Sequence, residues 1–231
     1  MKNILCTICM RSGSKGIRNK NLLKIGKKDL MSFTIKQAAN SRLFSNIIVS
    51  TDSKRILARA KKHGASGWFL RPKRLSRDTT GKIIVIKHAL LMAEKFFNKT
   101  FDYIVDLDVT SPLRKISDIK KSLKLIKRKH GDNLISGSIS RRSPYFNMVI
   151  VNKNQVRKVL NSKELIYRRQ DAPKTFDLNA SIYIWKRKTL LTKKTLFNKK
   201  TVFFEMPPER SFDIDNYFDL KVVKSLKKNE K

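Results

Sequence analysis

Two groups of residues in this chain have the types and spacing to do chemistry, and they lie near its two ends. The first is Arg11-Ser-Gly-Ser-Lys-Gly16, followed by Lys20-Asn21. Gly13 and Gly16 allow backbone conformations closed to other residues, so amides can converge on an anion, while Arg11, Lys15 and Lys20 supply compensating charge. A triphosphate suits such a loop; a plain connection between two elements is the other reading. The spacing is neither G-x-x-x-x-G-K-[ST] nor G-x-G-x-x-G, which excludes the P-loop and dinucleotide fingerprints. The second group is Asp213 and Asp215, flanking Ile214 in SFDID. On an extended segment residues two apart face the same way, so both carboxylates can point at one cation. Mg2+, held by one or two carboxylates with phosphate oxygens and water, is the economical occupant. A helix cap at Asp215 is the competing reading.

Further candidates lie between these groups. Asp106 and Asp108 repeat the two-residue spacing in YIVDLD, just ahead of Thr110-Ser-Pro-Leu-Arg114. Asp108, last on its strand, is the better placed; Thr110 and Ser111 either orient a ligand or end the strand before the Pro112 turn. Arg71 opens an Arg-Pro turn with Asp78-Thr79-Thr80 nearby, and reads as a ligand contact or a surface arginine. Arg168 and Arg169 are a solvated pair or a fork for a carboxylate. Asp52, in Thr51-Asp52-Ser53, reads as a helix cap rather than a catalyst. Cys6 and Cys9 fall on opposite faces of one strand and read as core thiols of a reducing compartment, since no second cysteine pair completes a zinc or redox motif.

The elements that must position these groups follow from periodicity. Ile4 to Met10 is a nearly continuous apolar run, the pattern of a strand covered on both faces, and it ends where the basic loop begins. A helix over Met31 to Asn40, a strand at Asn46 to Ser50 and a helix stopping at Gly64 follow. A short strand near Trp68 to Leu70 leads to a helix over Lys82 to Phe97, a strand at Tyr103 to Asp108 and a helix over Ser117 to Lys129. Strands alternating with helices of this length imply an α/β fold, a mainly parallel sheet with helices on both faces, and ligands gathered at the carboxyl ends of strands. From Ser143 to Leu160 the sequence alternates around Asn152-Lys153-Asn154 as a β-hairpin does, an excursion from the sheet. Asn179 to Trp185 and Val202 to Met206 return to strands, and Asn216 to Lys228 closes with an amphipathic helix.

The 231 residues, 40% hydrophobic, suffice for one domain with its own core. No apolar run reaches the roughly 18 residues of a membrane span, and the N-terminus enters a strand directly, so no membrane association and a cytoplasmic location are expected. The formal charge of +35 suggests a polyanionic partner, yet Lys and Arg are spread along the whole chain without a patch or an aromatic-basic signature. Nucleic acid is therefore not the expected partner, and a non-catalytic nucleic-acid-binding protein is the rival reading from another class.

Taken in order, RSGSKG-x-x-x-KN, VSTD, FLRP, DT, TSPLR, RRQDAP, NASIYI and SFDID resemble the acylneuraminate cytidylyltransferases, also called CMP-sialic acid synthetases, over nearly the whole chain. The resemblance implies a three-layer Rossmann-like nucleotidyltransferase fold in a single domain, residues 1–231, with a dimerisation excursion at about 140–178 that crosses to a twofold partner. It implies transfer of CMP from CTP to the anomeric hydroxyl of a nine-carbon 2-keto sugar acid, with Mg2+ as cofactor and pyrophosphate released. Arg11, Ser14, Lys15, Lys20 and Asn21 match the nucleotide loop, and Arg71 the cytidine side. Asp213 and Asp215 match the metal carboxylates, and Arg169 a sugar-carboxylate contact. Asn179 and Tyr183 lie in the family's N-G-A-I-Y strand. Arg11, Lys15, Lys20, Asp213 and Asp215 form the catalytic set; Asp108, Thr110, Ser111, Arg169, Asn179 and Tyr183 form the sugar side. Two departures stand out. Asp108 replaces the glutamine of L-Q-P-T-S-P, and Asp177 stands where some members carry arginine. A carboxylate in place of an amide loses donors and adds charge, which repels a sugar carboxylate unless another group or a metal intervenes. The departures leave the sugar open between N-acetylneuraminic acid and a bacterial relative such as legionaminic acid, and an eight-carbon keto acid such as KDO is the alternative.

Overall fold

The short β-branched runs and the amphipathic segments between them assemble as a three-layer α/β structure, seen in a computed structural model that describes residues 3–13, 16–67, 69–162 and 165–228. In chain order the strands are β1 (Ile4–Cys9), β2 (Lys24–Ile25), β3 (Lys28–Asp29), β4 (Asn46–Ser50), β5 (Tyr103–Leu107), β6 (Asn133–Ile139), β7 (Val149–Asn152), β8 (Gln155–Lys158), β9 (Phe176–Lys186) and β10 (Thr201–Glu205). The helices are α1 (Leu30–Ser41), α2 (Lys54–Lys62), α3 (Lys82–Phe97), α4 (Ile116–Arg128), α5 (Arg187–Thr192) and α6 (Tyr217–Lys228). Six strands form one sheet in the order β10-β6-β9-β5-β1-β4. β4, β1 and β5 are mutually parallel, as are β6 and β10, while β9 runs antiparallel to both of its neighbours.

Alternation along β1 divides the core. Cys6 and Ile8 join Met31, Ile35, Ile56, Ile119 and Val223 on the face covered by α1, α2, α4 and α6. Leu5 joins Ile86, Leu90, Trp185 and Leu190 on the face covered by α3 and α5, with Cys9 packed against it. Both cysteines are free thiols, and burial pushes both well above the ordinary range, so they remain protonated.

Strand β6 was not signalled by the sequence pattern. Its NLISGSI run is interrupted by serines and a glycine, and the structure gives the reason: a Cβ on Gly137 would meet the Asp177 carbonyl and the Phe203 ring. The register shifts by a bulge between Ile135 and Gly137 at this crowded point. Of the strand expected at Trp68 to Leu70, Trp68 lies outside the described residues and Leu70 makes only an isolated bridge to Thr51. The cap of α2 is Ser53, whose Oγ accepts from the Ile56 N–H at 3.3 Å, and not Asp52.

After β6 the chain leaves the sheet, forms the β7–β8 hairpin with Lys153 at φ 52° in its two-residue turn, and returns through β9. Val149, Val151, Val156, Leu165 and Tyr167 stand exposed on this excursion. Among the described residues, no helix is long and apolar enough to cross a membrane.

Candidate active site

The carboxyl ends of β1, β4 and β5 lie side by side, and the loops leaving them carry the residues singled out by sequence. From β1 come Met10 and Arg11. The Arg11 guanidinium pairs with Asp78, and the Arg11 carbonyl accepts from Asn21 Nδ2 at 2.9 Å. Asn21 is buried and serves here to hold the loop. Asp52, at the end of β4, does the same from the other side: its carboxylate accepts from the Ser12 N–H and hydroxyl, each at 2.8 Å. Ser14 and Lys15 lie outside the described residues.

The C-terminal acidic run closes onto this loop. Lys20 Nζ donates to the Ile214 carbonyl at 2.7 Å and to Asp215 at 2.9 Å. Gly16 passes so close to the Asp215 carbonyl that any Cβ there would collide with it. The Ile214 N–H donates to the Thr110 carbonyl at 3.0 Å, tying the same run to the end of β5. Asp215 does not cap α6. Asn216 Oδ1 accepts from the N–H groups of Phe218 and Asp219, and Asp219 accepts from those of Asp215 and Asn216. The Asp215 carboxylate is thereby left 74% exposed beside Lys20.

Asp213 is the more enclosed of the two. Burial first, and then the nearby charges of Asp108 and Asp215, push its carboxyl up to about 6, with Thr110 and Lys20 working against the shift. Its Oδ1 is buried without a hydrogen-bond partner. A buried carboxylate oxygen with no donor, beside a second carboxylate, fits a cation that would satisfy both. Among the described residues no group of three or more His, Cys, Asp or Glu side chains could hold a metal by itself. A magnesium ion at Asp213 and Asp215 would therefore need phosphate oxygens and water to complete its shell, as Mg2+ commonly does.

Arg71 is buried under the cleft. Its guanidinium donates to the Met10 carbonyl and to the Ser76 hydroxyl, both at 3.0 Å and both neutral acceptors. Desolvation lowers its pKa, yet an arginine stays charged, so a cation lies beneath a cleft of about 280 Å3 walled by Cys9, Leu75, Thr80, Val85 and Asp108.

Asp108, expected on the sugar side, is engaged by its neighbours and is not free to serve as a base or as a metal ligand. Lys82, the first residue of α3, reaches its Oδ2 at 2.6 Å, while Thr110 donates to Oδ1 from its N–H at 3.1 Å and its hydroxyl at 2.8 Å. Burial alone would raise the Asp108 pKa, but Lys82 and Thr110 outweigh it and bring it down to about 2. Lys82 was missed by sequence reasoning, because a lysine opening a helix in so lysine-rich a chain carries no distinguishing mark. It is the group that answers the added charge of Asp108. Its Nζ also lies 3.2 Å from Asp106 and 4.7 Å from the centre of the Tyr183 ring.

The remaining sugar-side candidates do not all reach the cleft. Ser111 is fully enclosed. Asn179 is buried and saturated, accepting from the Ser136 hydroxyl at 2.7 Å and the Ser181 N–H at 3.1 Å and donating to Ser211 at 3.0 Å. Asp177 accepts from the Ser140 hydroxyl at 2.8 Å, a brace at the root of the excursion. Arg169 donates to the Ser140 carbonyl at 2.8 Å and lines a separate groove with Arg142, Gln170 and Thr175. Arg168 pairs with Asp171 at 3.0 Å, both partly exposed.

Comparison with known proteins bears on this arrangement. A family model described as cytidylyltransferase matches residues 5–230. The chain is 45% identical over 227 residues to CMP-N,N'-diacetyllegionaminic acid synthase of Campylobacter jejuni, covering 98% of this chain and 95% of that one. It is 44% identical over 231 residues to the post-translational flagellin modification protein B of Campylobacter coli, covering 100% and 97%. Among solved structures, CMP:2-keto-3-deoxy-manno-octonic acid synthetase complexed with CTP superposes with a TM-score of 0.72 at 16% identity over all of both chains, a likeness of fold.

Proposed function

Because this chain belongs to the cytidylyltransferase family, we propose that it transfers CMP from CTP to the anomeric hydroxyl of a nine-carbon 2-keto sugar acid, of the diacylated legionaminic type, with release of pyrophosphate. The observation that carries this reading is the contact of Lys20 with Asp215, which joins the basic loop and the acidic run in one place. The acceptor class rests on the 45% identity to the legionaminic acid enzyme along nearly the full length of both chains.

The reaction asks for little covalent chemistry from the protein. The sugar hydroxyl oxygen bonds to the α-phosphorus of CTP, the bond from that phosphorus to the bridging oxygen breaks, pyrophosphate leaves, and the hydroxyl proton passes to solvent. Arg11 and Lys20, on the loop after β1, would neutralise the phosphates, and Arg71 would supply a cation beneath the nucleotide. Asp213 and Asp215 would hold Mg2+, which when bound supplies charge neutralisation and lowers the pKa of a coordinated hydroxyl. The chain's own work is positioning: Asp52 and Asn21 fix the loop, and Thr110 fixes the acidic run against β5.

The exposed apolar residues of the hairpin support a homodimer through the excursion, in which the arginines near its root would reach the partner's acceptor site. Free, protonated Cys6 and Cys9 fit a reducing compartment such as the cytoplasm. The test is pyrophosphate release from CTP and Mg2+ with N,N'-diacetyllegionaminic acid, N-acetylneuraminic acid and KDO in parallel. Fastest release with the legionaminic acid is expected; silence with all three overturns the assignment.

A further inference from the structure

The end of β5 carries a second acidic pair that the reaction described above does not use. Asp106 lies on β5 and Asp108 is the first residue past its end, and the carboxylates of both turn to the same neighbour. One oxygen of each is already committed: Asp106 Oδ1 accepts from the Thr7 hydroxyl at 2.7 Å, and Asp108 Oδ1 accepts twice from Thr110. The two remaining oxygens converge on one atom, Lys82 Nζ, at 3.2 Å and 2.6 Å. The Asp106 contact is an ion pair and not an aligned hydrogen bond, so Asp106 Oδ2 lacks a hydrogen-bond donor of its own among the described residues. The Tyr183 ring closes the far side of the ammonium. Two carboxylate oxygens converging on one point, with a third side open to the nucleotide cleft, are also the donor set of a divalent cation.

We propose that Lys82 is a built-in counter-cation that occupies a second divalent-metal position at the end of β5 and so restricts this site to the metal held by Asp213 and Asp215. The argument is one of charge and reach. Asp106 is fully enclosed and Asp108 is partly buried, and two carboxylates so close together need a cation between them. An ammonium on a flexible stem supplies it without depending on the free metal concentration. Lys82 is thus a positioning residue. It keeps Asp108 ionised and oriented, and it prevents that charge from adding to the repulsion met by CTP and by the carboxylate of the acceptor. The inference rests on the magnesium reading of Asp213 and Asp215 only for the identity of the first metal.

The experiment is Mn2+ binding to the protein without nucleotide, counted by the electron paramagnetic resonance of free Mn2+. Wild type, Lys82→Met, Lys82→Arg, Asp108→Asn and the Lys82→Met/Asp108→Asn pair are compared after circular dichroism has verified their folds. Lys82→Met is expected to bind about one Mn2+ more per chain than wild type, since two bare oxygens then face an open position. Lys82→Arg and the double variant are expected to keep the wild-type count. A folded Lys82→Met with the wild-type count overturns the proposal. Should Lys82→Met fail to fold, Asp108→Asn decides: an unchanged count supports the proposal, and loss of one Mn2+ shows that Asp108 already holds metal and overturns it. A wild type that binds no Mn2+ speaks against the magnesium reading at Asp213 and Asp215, while the gain on replacing Lys82 is still scored.

Discussion

Lys20 Nζ sits 2.9 Å from the carboxylate of Asp215, a residue 195 positions further along the chain. The contact brings the basic loop after β1 and the acidic run before α6 to one point, and Gly16 packing on the Asp215 backbone repeats the closure one turn of loop away. Asp215 is 74% exposed and makes no core contact that its loss would disturb. Asp215→Asn should therefore fold normally by circular dichroism and lose turnover by about 100-fold, the scale of removing one charge-stabilising group from a transition state. An undiminished rate of pyrophosphate release would remove Asp215 from the mechanism.

The close approach at Gly16 separates two glycines that look alike in sequence. An added methyl at Gly16 collides with the Asp215 carbonyl, whereas at Gly13 nothing lies within 4 Å. Gly16→Ala should cost about 1–3 kcal/mol in urea unfolding, the range for forced overpacking, and lower kcat/KM by at least about 10-fold. Gly13→Ala should match wild type in both measurements. Equal effects at the two positions would mean that the loop does not close on the acidic run as described.

Asp213 makes a prediction in pH. Its folded pKa is raised from 3.8 to about 6, so the protonated form favours the folded state. That contribution is fully present below about pH 4 and is lost as pH rises through 6, a change of about 3 kcal/mol at most. Without divalent metal, Asp213→Asn should melt above wild type at pH 7.5, and the two melting curves should converge near pH 4. Coincident melting temperatures at both pH values would show that the burial of this carboxylate is not felt.

The excursion predicts an assembly. Val151 and Val156 face each other across the hairpin and are each 65% exposed, an apolar pair at the tip of a projecting ribbon. The protein should sediment as a dimer, and Val151→Asp with Val156→Asp should sediment as a folded monomer. A wild type that is monomeric at micromolar concentration would leave the hairpin without the role assigned to it.

Most elements that carry the site were legible because they rest on strong local patterns. The apolar run of β1 and the helices α1 to α4 appear within two residues of expectation, and the hairpin turns at Lys153 and Asn154 where the alternation centred it, though its strands are shorter than the alternating run. Strand β6 was not, because Gly137 is dictated by the close approach of β9 and the Phe203 ring, a tertiary constraint that no periodicity records. The pairing of Asp108 with Lys82 was hidden for a similar reason. The two residues are 26 positions apart, and only the packing of α3 over the strand tips brings them together. Asn179 and Ser111 show the reverse case, polar residues at suggestive positions that the fold spends on its own hydrogen bonds or encloses completely.

Calorimetric titration of CTP into wild type and Asp215→Asn, each with and without Mg2+, measures most directly whether the two ends of the chain act as one nucleotide site. Mg2+ should tighten CTP binding to wild type by about 10-fold or more, worth roughly 1.4 kcal/mol, and do little for Asp215→Asn. Equal tightening in both proteins, or none in wild type, would contradict a shared grip on magnesium-bound CTP.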